Sequence, residues 1–196
     1  MQKERFEWIH SWCDETQNGD LSRVLLVGDS ITYGYQEKVR ERLKGVCYVD
    51  YVATSYAIDS KMYNELVKNF ATDSAYALVH FNHGLHGKHI SKRSYKSHLL
   101  KLLSKIPASV VLATTTFIYR EGNKRVDGSW MKRVRERNEA MQEIAAEKGL
   151  AIDDLYAVSV AIPKDKRYED GTHYLAEGYE IFADAVAENI KNLLKE

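Results

Sequence analysis

The sequence predicts a three-layer α/β/α sandwich built on a parallel central sheet of about five strands. Three observations point there. The run Val24-Leu25-Leu26-Val27 carries no charge and stops at Gly28-Asp29-Ser30, as a strand buried on both faces does where it leaves a sheet. Short β-forming runs alternate with helix-length segments along the chain, and strands separated by helices pair in parallel through right-handed crossovers. The chain also ends on a segment whose apolar residues Leu175, Tyr179, Phe182, Val186, Ile190 and Leu193 recur every three or four positions, the period of a helix lying on a sheet.

Taken in order, residues 4–16 are expected to form a short amphipathic helix, with Phe6, Ile9 and Cys13 on one side and Trp8 and Trp12 on another. Gln17-Asn18-Gly19-Asp20 stops it. The first strand covers residues 23–27 and runs into the Gly-Asp-Ser turn. A helix over 34–44 ends at Gly45, and a second strand over 46–52 has Tyr48 and Tyr51 among its β-formers. Residues 53–60 are a polar connection. A helix over 61–70 carries Met62, Leu66 and Phe70 at helical spacing, and a third strand follows over 77–81. After a loop rich in His and Gly, a helix over 91–105 carries Leu99, Leu102 and Leu103 until Pro107 stops it. The fourth strand covers 109–114. Residues 117–129, with Gly122 and Gly128, form the longest irregular piece and are expected to lie over a site. A helix over 130–148, a short strand over 150–153 and the last helix complete the chain. No repeat, low-complexity segment or linker divides it, so residues 1–196 are expected to be one domain with a flavodoxin-like sheet.

Composition removes several classes of partner. The 28 Lys and Arg residues balance 28 Asp and Glu, leaving no net charge to draw the protein to nucleic acid or to an anionic membrane. The basic stretch Lys132-Arg133-Val134-Arg135-Glu136-Arg137 reads as a solvated helix face. No apolar run reaches membrane-spanning length, and the first eight residues lack a signal-peptide core, which predicts a cytoplasmic location. Cys13 and Cys47 do not make a disulfide framework; Cys47 is expected to be a small buried hydrophobe. The oligomeric state has no signature.

The chemistry starts at Ser30. Residues just past the carboxyl end of a strand sit where open α/β sheets bind ligands. A serine there has an exposed hydroxyl and an N–H near a helix N-terminus, which favours negative charge developing beside it. Asp29 is expected to hold the turn by accepting from nearby backbone N–H groups. Just before the last helix stands Asp170-Gly171-Thr172-His173. That spacing can set a carboxylate beside an imidazole, fix its tautomer and stabilise the imidazolium formed when it takes a serine proton. Either motif alone is common, for instance as a helix cap beside a surface histidine. One after the first strand and the other before the last helix make a specific combination.

On these two blocks the chain resembles the SGNH (GDSL) family of serine esterases and acylhydrolases, over nearly its whole length. The resemblance implies Ser30 as nucleophile, His173 as base, Asp170 as its orienting acid, a small acyl ester as substrate, and neither cofactor nor metal. Acyl transfer by the same residues, or a binding protein that keeps the fold without efficient catalysis, are the alternatives. The family's middle blocks are altered here. Its second block offers a glycine N–H to the oxyanion hole, but Ala53–Ser60 contains no glycine; anchoring on Asp59 puts Ile58 there, with Ala57 beside it. Its third block is Gly-x-Asn-Asp; aligning Gly84 puts His86 at the Asn position, with Asn82 as the alternative donor. The implied hole is thus the N–H groups of Ser30 and Ile58 with His86 or Asn82.

Tyr33, Tyr56, His83 and Thr116 are expected to line the substrate pocket, with Tyr119 and Arg120 nearby. His80, His83, His86 and His89 recur every third residue, a spacing that would gather metal ligands on a helix. Gly84 and Gly87 interrupt the stretch, and it contains no Cys or carboxylate, so separate structural or hole-lining histidines are the reading. Polar, aromatic loops without a long apolar lid favour a short acyl group, an acetyl on a carbohydrate.

Overall fold

The computed structural model describes residues 2–119 and 128–195. Its strands are β1 (Ile9–Trp12), β2 (Ser22–Gly28), β3 (Cys47–Thr54), β4 (Tyr76–Asn82), β5 (Ser109–Ala113) and β6 (Ala151–Asp153). Its helices are α1 (Ser30–Leu43), α2 (Lys61–Asp73), α3 (Lys92–Leu103), α4 (Gly128–Lys148), α5 (Leu155–Ala161) and α6 (Ala176–Leu193). The sheet order is β1-β3-β2-β4-β5-β6. Every neighbouring pair is parallel except β1 with β3. The five parallel strands therefore follow the expected flavodoxin-like order.

The β2 residues show why this run is uncharged. Val24 and Leu26 pack with Tyr35 and Val39 of α1 and with Phe182 and Val186 of α6. Leu25 and Val27 face the other way, onto Tyr63 and Val67 of α2, Leu99 of α3 and Met141 of α4. Successive strand residues point to opposite faces, so a strand covered twice needs apolar side chains throughout. At its carboxyl end, Gly28 is paired with Ala53 of β3 on one side and Asn82 of β4 on the other. The chain leaves β2 for β3 on one side and later returns to β4 on the other. This is the switch point where α/β sheets open a crevice.

Gly28 is required by that approach. A Cβ there would lie 2.5 Å from the carbonyl oxygen of Asn82 and collide with the side chain of Thr32. Gly28→Ala is expected to destabilise the fold by about 1–3 kcal/mol, as overpacking does, measurable as a lower urea midpoint with unchanged m-value.

The N-terminal segment corrects the sequence reading. Residues 4–16 do not form a helix; Ile9–Trp12 add to the sheet as β1, running antiparallel from Ile9 opposite Thr54 to Trp12 opposite Tyr51. A short helix is marginal in water, whereas the exposed edge of β3 offers a row of unpaired backbone groups. Apolar spacing lost to edge pairing.

The basic stretch 132–137 also needs correction at its last residue. Arg137 is only 1% exposed. It sits, with Asn138, on the face of α4 that buries Met131, Val134 and Met141. Helix α1 begins at Ser30, four residues before the expected start, because Asp29 caps it. The short α5, capped by Asp154, was not expected. Most of the expected 117–129 loop, including Arg120, lies outside the described residues.

Cys13 is exposed and Cys47 buried, and both are free thiols. No helix among the described residues is long and apolar enough to cross a membrane. A cavity of about 600 Å³ lies among Asp14, Leu21, Arg40 and Cys47, at the opposite end of the strands from Ser30.

Candidate active site

Ser30 is the first residue of α1, directly after its N-cap Asp29. The Asp29 carboxylate is buried and accepts three backbone N–H groups: Ile31 at 3.0 Å, Gly84 at 3.2 Å and Leu85 at 3.1 Å. It therefore fastens the β2–α1 turn to the loop after β4, more than the local turn role expected of it. From α4, the guanidinium of Arg137 donates to the carbonyl of Gly84, and to that of Gly87 at 2.7 Å. The Gly84–Leu85 peptide thus has its N–H on a buried anion and its C=O on a buried cation. The two charges hold one dipole in its favourable orientation. Burial pushes the Arg137 guanidinium below its ordinary pKa, with the Asp29 charge among the opposing influences.

The residues far apart in sequence meet here. His173 Nε2 lies 2.8 Å from Ser30 Oγ, and His173 Nδ1 lies 2.5 Å from Asp170 Oδ2. A carboxylate only accepts, so Nδ1 carries the proton and Nε2 turns its lone pair to the serine hydroxyl. The other carboxylate oxygen accepts the N–H of Thr172 at 2.8 Å and of His173 at 2.9 Å. One side chain therefore shapes the turn and orients the ring. Burial works to raise the Asp170 carboxyl, but the His173 contact and these two N–H groups outweigh it and hold it below its ordinary range.

The 170–173 turn is braced from several directions. Gly171 adopts φ +75°, a left-handed conformation that suits glycine, and its carbonyl accepts from Tyr119 N–H at 2.6 Å. The carbonyl of His173 accepts from Tyr168 N–H at 2.9 Å. Cations of Lys164 and Arg167 lie over the Tyr119 ring, at 5.1 and 5.8 Å from its centroid.

The candidate oxyanion donors differ in availability. The N–H groups of Ser30 and Ile58 have no hydrogen-bond acceptor among the described residues. The Ile58 side chain is buried in the core, and its carbonyl is held by Asn64 Nδ2 at 2.8 Å. Asn82 spends its amide elsewhere, donating to the carbonyls of Ala113 at 3.3 Å and Thr114 at 3.1 Å. His86 Nδ1 faces Glu4 Oε1 at 2.9 Å, while its Nε2 is buried with no hydrogen-bond partner among the described residues.

The expected pocket residues separate into two groups. Tyr33 is exposed and stacks on His10 with ring centroids 4.4 Å apart. Tyr56 is half-buried. His83 is buried against Tyr63, ring centroids 4.4 Å apart, and burial pushes its pKa down to about 4, so it is neutral. Thr116 is buried, with a hydroxyl that has no partner among the described residues.

The four histidines at three-residue spacing go to four places. His80 meets Asp153, His83 packs on Tyr63, His86 meets Glu4 and His89 meets Asp59. Among the described residues no group of three His, Cys, Asp or Glu is placed to hold a metal ion.

Sequence reasoning missed the N-terminal strap. Trp8 sits between Tyr33 and His86, at 6.5 and 6.2 Å between ring centroids. The Ser55 hydroxyl bonds to Glu7 and accepts the Trp8 N–H, both at 2.8 Å. No local signal joins residues 4–10 to a site built around residue 30.

The strap's attachment depends on pH. Burial works to raise the Glu4 carboxyl, but the hydrogen bond and charge of His86 hold it below its ordinary 4.5. Burial works to lower His86, but Glu4, Asp29 and Glu7 hold it above its ordinary 6.5. A histidine held high contributes fully below its unfolded value and loses that contribution as pH rises through its folded one. A carboxylate held low contributes fully above its unfolded value and loses it as pH falls through its folded one. The strap is therefore held most firmly between about pH 4.5 and 6.5. Amide protection of residues 9–12, corrected for intrinsic exchange, should be greatest in that window.

No known family model matches the sequence, and no curated protein matches it. The structure, however, is similar to solved ones. A lipase/acylhydrolase from Enterococcus faecalis superposes with a TM-score of 0.66 at 20% identity, covering 87% of this chain and 96% of that one. The C-terminal catalytic domain of a peptidoglycan O-acetyltransferase from Streptococcus pneumoniae gives 0.67 at 19% identity, covering 90% and 97%. A member of the lipolytic G-D-S-L family from Veillonella parvula gives 0.63 at 19% identity, covering 85% and 97%. Strand order, the serine at the switch point and these matches over most of each chain agree: the chain has the SGNH (GDSL) hydrolase fold.

Proposed function

We propose that the protein is a serine esterase that removes a short acyl group through an acyl-enzyme on Ser30. The observation that carries this is the continuous path Ser30 Oγ–His173 Nε2–His173 Nδ1–Asp170 Oδ2, with links of 2.8 and 2.5 Å. His173 takes the hydroxyl proton as Ser30 attacks the ester carbonyl, and Asp170 stabilises the imidazolium. Backbone N–H groups of Ser30 and Ile58 stabilise the tetrahedral oxyanion, aided by the N-terminus of α1. His173 then protonates the departing alcohol, and next draws a proton from the water that releases the acid.

The substrate reading is an acetylated carbohydrate. Tyr33, His10 and Trp8 form an aromatic group beside the serine turn, and such faces suit the apolar face of a sugar ring. Against a panel of acetylated sugars and longer-chain esters, kcat/KM should be highest for acetyl; a clear preference for long chains contradicts this. Similar structures include both acylhydrolases and an O-acetyltransferase, and the same triad serves transfer. His173 and Asp170 are 38% and 39% exposed, which leaves water access to an acyl-enzyme and favours hydrolysis. Added alcohols should therefore divert only a minor share of the acyl group, measured by product partitioning.

A further inference from the structure

We propose that Gly34 and Tyr179 are a positioning pair: the Tyr179 ring, seated on the bare Cα of Gly34, is the spacer that sets the distance between Ser30 Oγ and His173 Nε2. This rests on the esterase reading above. It names two residues outside the Ser30–His173–Asp170 path on which the rate of that path depends.

Nucleophile and base belong to different helices. Ser30 begins α1, and Gly34 follows one turn later on the same face. His173 stands just ahead of α6, which begins at Ala176. It lies in a small hairpin joined by the Tyr168 N–H to the His173 carbonyl and the Leu175 N–H to the Lys166 carbonyl, both at 2.9 Å. That hairpin is fixed to α6. Gly178 lets its backbone in, since a Cβ there would lie 2.5 Å from the Lys166 carbonyl oxygen and 2.9 Å from Tyr174 Cβ. The Tyr174 ring packs edge-on against Phe182 of α6, with centroids 4.8 Å apart. His173 therefore moves with α6, and Ser30 with α1.

The spacing of the two helices at their N-terminal ends thus fixes the reacting distance. Lys38 meets Glu180 at 2.5 Å, and Arg42 meets Glu180 and Asp184, each at 2.6 Å. These pairings advance together along both chains, so the helices run parallel. Of the contacts between them, Tyr179 on Gly34 is nearer in sequence to Ser30 and to His173 than these ion pairs are. A Cβ on Gly34 would lie 2.2 Å from Cε1 and Cζ of that ring and 2.7 Å from Cδ1. Tyr174 and Phe182 stand against the ring elsewhere, with centroids 5.8 and 6.3 Å away, and restrict its turning aside. Burial pushes the Tyr179 phenol up, and the charges of Asp29 and Asp170 act in the same direction. That fits a ring standing between the serine turn and the His173 hairpin.

A methyl group on residue 34 needs about 3.5–4 Å to those ring carbons, so relief of the collision separates the helix ends by about 1 Å. The 2.8 Å link from Ser30 to His173 then stretches beyond hydrogen-bond reach. A misplacement of about 1 Å costs on the order of 10²-fold in rate. Removing the ring has the opposite defect, because α6 loses what it rests on. Both changes act on the reacting distance, so they lower kcat and leave KM in place.

Steady-state kinetics with an acetyl ester, and the rate at which a fluorophosphonate labels Ser30, test this in wild type, Gly34→Ala, Tyr179→Val and the double variant. Circular dichroism checks that each is folded at the assay temperature. G34A should lower kcat about 10²-fold and Y179V about tenfold, with KM within about twofold, and labelling should slow in step. Valine lacks the ring carbons that the new Cβ meets, so the double variant should be more active than either single one. Substitutions that merely weaken the fold would leave kcat of the folded protein unchanged. If G34A does not fold, Y179V and the double variant decide. A kcat of folded G34A or Y179V within about threefold of wild type, or a double variant no more active than its singles, overturns the proposal. These outcomes leave the esterase reading standing as long as hydrolysis is lost in Ser30→Ala; hydrolysis that survives that substitution overturns the esterase reading itself.

Discussion

Ser30→Ala is expected to lower kcat/KM for an acetyl ester on the order of 10⁶-fold, while the melting temperature moves by less than about 2 °C. The size of the loss follows from the geometry. The Ser30 hydroxyl is the one that His173 Nε2 meets at 2.8 Å, and without it the imidazole has no nucleophile to activate. What remains is binding and oxyanion stabilisation alone. His173→Ala should cost nearly as much, and the double substitution little more, because the two act as one unit. Asp170→Asn should cost about 10⁴-fold. The Asn carbonyl can still accept the Thr172 and His173 N–H groups, but its NH₂ would face Nδ1 and drive the proton onto Nε2, where it cannot accept from serine. Asp170 itself is held below the ordinary carboxylate range, so its orienting charge is present at neutral pH and is lost only as pH falls through that lowered value.

Arg137→Met should produce the largest loss of stability, about 3 kcal/mol, equivalent to a fall of about 6–12 °C in melting temperature for a chain of this size. The guanidinium is buried and donates to the carbonyls of Gly84 and Gly87. A methionine fills much of the space but leaves the Gly84 carbonyl without a donor, and the Gly87 carbonyl with the Ile90 N–H alone. It also removes the cation opposite Asp29 across the Gly84–Leu85 peptide. The loop then loses one of its buried anchors, so kcat should fall in the folded variant as well. Urea unfolding measures the first effect, and steady-state kinetics at a temperature where the variant is folded measures the second. An unchanged urea midpoint would show that water replaces the guanidinium without loss.

Much of this was legible in the sequence because the signals were local or strongly periodic. Val24–Val27 had to be apolar on both faces, and Phe182, Val186 and Ile190 lie on one helical stripe. Asp170 and His173 are near enough in sequence for their spacing to carry geometry. The N-terminal strap was not legible. Phe6, Ile9 and Cys13 have helical spacing, and only the unpaired edge of β3 decides otherwise. Arg137 was hidden differently: five charged residues in six suggest a wet helix face. Its signal was register, since position 137 follows Met131 and Val134 at three-residue steps on the buried stripe of α4. The candidate oxyanion donors were the least legible. A backbone N–H leaves no trace in residue type, and the partner that fixes the His86 tautomer is 82 positions away.

The most direct measurement is reaction of the folded protein with a fluorophosphonate, followed by intact mass and peptide mapping. The account predicts one adduct per chain, on Ser30, absent from Ser30→Ala and formed far more slowly in His173→Ala. Folded protein that stays unlabelled, or takes the adduct at another residue, contradicts it.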